Sequence, residues 1–199
     1  MFYPIGVDLR WHSFSWFSIA LWLPLQPLAG PLAAHNVTVL LTYVLSAYTA
    51  YSLARGVVDS RWAAMAAGLV FAFYPARQAH LNQLNLLSVE WLPLCALYLM
   101  RLTHLSRLRD GLGFGVALGL CALAGLHQLV LAGIWAVLWL ACTVITERTR
   151  WGLNTLKAAT VAVLIFVIIA GPLLLPVFRG LLEPDVMELG TGDTGEKRT

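Results

Sequence analysis

The chain has 199 residues, 59% hydrophobic and 12% charged, with a net charge of +3. Soluble domains run nearer ~45–50% apolar and ~25% charged, so a chain this short has too little interior to hide its apolar surface, and lipid must cover much of it. No basic run offers a nucleic-acid face, and the apolar stretches are continuous rather than alternating, which selects helices over a barrel.

The expected fold is therefore all-α: a polytopic membrane bundle of about six transmembrane helices, preceded by an interfacial or re-entrant helix. The opening, MFYPIGVDLRWH, lacks the basic-then-apolar pattern of a secretory leader. Residues 1–35 read as a short opening stretch and the interfacial helix. Their continuous apolar part, 14–23, is short, and Pro24, Pro27 and Pro31 interrupt the residues C-terminal to it. Phe14, Trp16, Phe17 and Trp22 suit the membrane–water boundary; a kinked seventh span is the alternative. Six spans are expected within a bundle of 36–178, at 36–53, 62–74, 89–102, 111–126, 129–145 and 158–178. The last is broken late by Gly171-Pro172 and Pro176. Residues 179–199 read as an external, disordered polar tail.

Loop charge orients these spans. Arg55, Arg61, Arg101, Arg107, Arg109, Arg148, Arg150 and Lys157 fall in one set of loops, and only Arg77 and Arg179 in the opposite set. The positive-inside rule places the first set in the cytoplasm and the His80 loop, the His127 corner and Glu183 outside.

Soluble-enzyme motifs are missing: no GxSxG, HExxH, P-loop or dinucleotide fingerprint occurs. Cys95, Cys121 and Cys142 lie in separate apolar runs without metal-ligand spacing and read as buried small hydrophobes. Polar residues at membrane depth carry more information, because burying them is costly. Arg77, His80, Gln83 and Glu90 share one outer loop. At i, i+3 and i+6, a helix would set the first three near one face, able to meet a phosphate or sugar hydroxyls. The alternative is an interfacial helix with a solvated polar face. Glu90, at the mouth of a span, either serves function or pairs with Arg77. Near the start, Asp8 can act as a base, bind a metal or begin a helix, and His12 can polarise a phosphate. His35-Asn36 reads as a cap, and His127-Gln128 as filling a tight corner between spans.

The run FAFYPARQAHLNQLNLLSVEWLPLCALYLMRL is similar to the central stretch of GT-C superfamily membrane glycosyltransferases, the RgtA/B/C/D-like proteins and the dolichyl-phosphate-mannose mannosyltransferase relatives. YPIGVDLRWHSFSWFSIALWLPLQPLAGPLAAHN resembles the end of their first external loop, and VLSAYTAYSLARGVVDSRWAAMAAGLVFAF their next helical pair. The resemblance spans most of residues 3–178. It implies a module in the cell membrane that transfers a sugar from a polyprenyl-phosphate carrier to an acceptor on the outer face, with or without a divalent metal. On that basis Asp8 is the candidate base, Arg77, His80, Gln83 and His12 contact the donor, and Glu90 positions them. Met1 falls just before the YPxGxD stretch, so the family's first helix and principal acidic motif are expected to be missing. The chain then reads as a front portion with little turnover of its own, completed by a partner chain. The rival expectation is a non-catalytic polytopic membrane protein, a truncated paralogue or a subunit. A transporter is disfavoured, because no inverted repeat is visible.

Overall fold

The structure is a computed structural model that describes residues 15–81, 83–147 and 152–182. Every regular element among the described residues is an α-helix. In chain order these are α1 (Trp16–Ala29), α2 (Pro31–Val57), α3 (Arg61–Phe73), the single turns α4 (Pro75–Gln78) and α5 (Leu84–Leu87), α6 (Leu92–Leu105), α7 (Leu108–Ala124), α8 (Leu126–Glu147) and α9 (Leu153–Leu182). By contacts, the described residues 15–170 belong to one compact unit and the described residues 171–182 to another.

Four stretches are long and apolar enough to cross a membrane: Pro31–Val57, Leu84–Leu105, Leu126–Thr146 and Leu153–Arg179. Large apolar side chains face outward along them and their neighbours; Ile145 is 79% exposed and Leu32 75%. Water would not tolerate such a surface, and lipid does. The chain is a membrane protein. At 13 and 17 residues, α3 and α7 are shorter than the ~20 residues an upright span requires.

Helix ends differ from the sequence expectation at three places. Pro24 and Pro27 lie inside α1, which continues to Ala29; Pro172 and Pro176 lie inside α9. Each proline removes one donor without forcing a stop when the freed carbonyl finds another partner. The stop after α1 is Gly30, whose φ of 79° suits a residue without Cβ. Pro31 then opens α2 at its first position, where a missing N–H costs nothing. His35 and Asn36 therefore sit inside α2 and are not a cap.

Packing rests on small residues. Ala64, Gly68 and Ala72 form the buried face of α3, and a Cβ on Gly68 would lie 2.6 Å from the Ala47 carbonyl oxygen of α2. On α2 the buried stripe is Thr38, Thr42, Ser46 and Thr49. Their hydroxyls donate back to carbonyls of the same helix, as Ser46 does to Thr42 at 2.6 Å, so none of these four is stranded. Gly111, Gly115 and Gly119 line the face of α7 that meets α9. Ser106, left-handed at φ 51° where α6 ends, joins its Oγ to Thr155 Oγ1 at 2.6 Å. Small-residue stripes of this kind let backbones approach where no hydrophobic effect drives helices together.

Candidate functional site

The loop between α3 and α6 is shaped by proline. Pro75 holds Tyr74 extended (φ −62°, ψ 144°) and ends α3, since the residue before a proline avoids the helical region. Only one turn, α4, comes next, and residues 77–83 do not form a continuous helix. The shared face expected for Arg77, His80 and Gln83 is accordingly not built.

Arg77 turns inward and is 1% exposed. Its Nε donates to the Leu87 carbonyl at 3.1 Å, one terminal nitrogen to Ala72 at 3.2 Å, and the other to Thr42 at 3.2 Å. The guanidinium carbon also sits 4.5 Å from the centre of the Tyr43 ring, which stacks on Phe73 at 5.3 Å. Three carbonyls, from α2, α3 and α5, thus converge on one cation. Burial pulls the guanidinium pKa below its usual value, and the nearby Glu90 charge is the main influence against that shift. Buried, and donating three hydrogen bonds inside the protein, Arg77 does not present an anion hook at the surface.

His80 and Gln83 are exposed and joined by an Nδ1···Oε1 contact of 3.3 Å. Glu90 is 0% exposed and lies in the turn just before α6. Ser88 Oγ donates to its Oε1 at 2.6 Å, while Oε2 has no hydrogen-bond partner among the described residues. A hydrogen-bonded pair with Arg77 does not form. His127 and Gln128 stand in the first turn of α8, directly after the one-residue Gly125 corner between α7 and α8, with Gln128 Nε2 3.1 Å from His127 Nε2. The His127 imidazole interacts with the Asn85 backbone. Asp8, Arg10 and His12 lie outside the described residues, as does Glu183. Among the described residues no three His, Cys, Asp or Glu side chains come together.

Sequence reasoning missed an apolar groove of about 700 Å³ between α2 and α3. Val39, Tyr43, Val44 and Ala47 line it from α2, Gly68 and Leu69 from α3, and Gln78 and Leu81 close its end at the His80 loop. The AxxxGxxxA spacing of Ala64, Gly68 and Ala72, likewise overlooked, is a sequence signal for a close helix pair but not for the groove beside it. Also missed was the meeting of Cys95 and Cys121, whose sulfurs lie 3.6 Å apart. Cys142, expected to be buried, is exposed on α8. Models of known families do not match the chain, and neither curated proteins nor solved structures match it.

Proposed function

We propose that the chain is a multi-pass protein of the cell membrane that binds a polyprenyl-phosphate-linked sugar on the outer face, as a module of a GT-C-type glycosyltransferase. In this reading α3 and α7 join the four long apolar stretches as spans, giving six, and α1 lies at the interface. The observation that carries the proposal is the α2–α3 groove. It is apolar along its length, open at the side, and ends at Gln78 and Leu81, next to the exposed His80–Gln83 pair. An isoprenoid chain needs such a cleft facing lipid, and its headgroup needs polar side chains where the cleft reaches the interface. His80, Gln83 and Gln78 would meet the phosphate and sugar. Arg77 serves by holding the loop in place, and Glu90, fully buried, by ordering the turn before α6. Asp8 and His12 retain the roles of base and phosphate contact that the resemblance implies.

The non-catalytic alternative draws on one observation of its own. The loops at this end of the helices hold a single carboxylate among the described residues, Glu90, and it is 0% exposed. Binding and transfer therefore separate in the test. Val44 is 63% exposed, so Val44→Trp fills the groove without touching the core. In nanodiscs, Val44→Trp is expected to weaken polyprenyl-phosphate binding about tenfold or more, equivalent to ~1.4 kcal/mol. His80→Ala should also weaken it, and Arg107→Ala should leave it unchanged. Equal binding by all variants would remove the carrier reading. Binding that is sensitive to Val44→Trp, with no sugar transfer, would favour the non-catalytic form.

Orientation is tested separately. Single-cysteine variants at positions 107, 109 and 148 are expected to resist a membrane-impermeant thiol reagent on intact cells, and one at 80 to react. Labelling at 107 but not at 80 would invert the topology.

A further inference from the structure

Cys95 and Cys121 are 26 positions apart in the chain, yet their sulfurs approach to 3.6 Å. Cys95 is one turn into α6, and Cys121 one turn from the end of α7. Both therefore sit about one helical turn, ~5 Å, below the helix ends that flank the Glu90–Trp91 turn and Gly125. They are 2% and 1% exposed and belong to the apolar core, closed to water-soluble reagents. An approach from the lipid side is open. Cys95 lines a second apolar groove, of about 490 Å³, with Leu92 and Ala96 of α6 and Leu131, Trp135 and Leu138 of α8. Trp135 is stacked on Trp139 with 5.7 Å between ring centres, and so holds a fixed aromatic surface against which a flat ring can pack.

We propose that Cys95 and Cys121 are a redox-active dithiol whose oxidant is a lipid-soluble quinone admitted by this groove. Two S–H bonds break and one S–S bond forms. The two electrons and two protons pass to the quinone, whose two carbonyl oxygens become the hydroxyls of a hydroquinone. A disulfide holds its sulfurs at ~2.05 Å, so the pair must close by only about 1.5 Å. The bond would link α6 to α7 immediately beneath the Glu90–Trp91 turn. This inference is independent of the carrier-lipid reading.

The test uses the full chain in nanodiscs, reduced, freed of reductant and kept under inert gas. Decylubiquinone is the probe, and the water-soluble oxidant diamide is the contrast. After denaturation, free thiols are counted by the mass added with a maleimide, and the linked peptides are mapped. Quinone is expected to lower the free thiols of the wild type from three to one, to leave none in Cys142→Ser, and to yield one hydroquinone per chain. Cys95→Ser and Cys121→Ser should each keep both remaining thiols. Should either of these fold poorly, the wild type and Cys142→Ser still decide. Three thiols persisting after quinone, a link that includes Cys142, or diamide oxidising the pair as fast as quinone would each overturn the proposal.

Discussion

Arg77→Ala is expected to lower the stability of the protein by ~3–5 kcal/mol, because three buried hydrogen bonds from one charged donor are lost together. The side chain is 1% exposed and donates to Leu87, Ala72 and Thr42. Hydrogen bonds from a charged donor contribute ~1.5–3 kcal/mol each, and the stacking on Tyr43 adds ~1–2, but these overlap and do not sum. Alanine would also leave a cavity where three helices meet. Arg77→Lys keeps the charge but replaces three spread nitrogens with one, which cannot reach carbonyls that each meet a different nitrogen of the fork, so it should restore less than half of the loss. Reversible unfolding in mixed micelles measures both variants. Unchanged stability in Arg77→Ala, together with lost carrier binding, would return Arg77 to the role of surface anion contact.

Gly115→Leu is the second large effect. A Cβ at this position would lie 2.5 Å from the Ala162 carbonyl oxygen and 3.0 Å from Ile165 Cβ. Neither is the free end of a flexible side chain, so α9 must move away from α7. Overpacking of this kind costs ~1–3 kcal/mol and sometimes more, and the separation would also weaken the neighbouring contacts at Gly111 and Gly119. Gly133→Leu is the control, because nothing lies within 4 Å of its Cβ position. It should be neutral or slightly stabilising, since leucine is the better helix former by ~0.5–1 kcal/mol. Equal stability of Gly115→Leu and wild type would show that α7 and α9 do not pack closely in the membrane.

The helices were legible because their cause is local. Long apolar runs and the proline at position 75 that ends α3 act within a few turns of chain. Even the misplaced boundaries have local explanations: prolines at 24, 27, 172 and 176 are tolerated inside helices, where a soluble-protein rule would stop them. The all-α class and the membrane surface thus come from composition and the length of the apolar runs, whatever the arrangement of the helices.

The candidate site has no such local cause. Whether Arg77 faced lipid headgroups or the interior depended on carbonyls at Thr42 and Leu87, 35 and 10 positions away. Cys95 and Cys121 looked like unrelated apolar residues until α6 and α7 came together. The two grooves exist only as space left between helices packed on small residues. A side chain's periodicity states which face of its own helix it occupies, while its partner is fixed by which other helix covers that face. That choice is made by close packing over the whole unit, and no local stretch of the chain contains it.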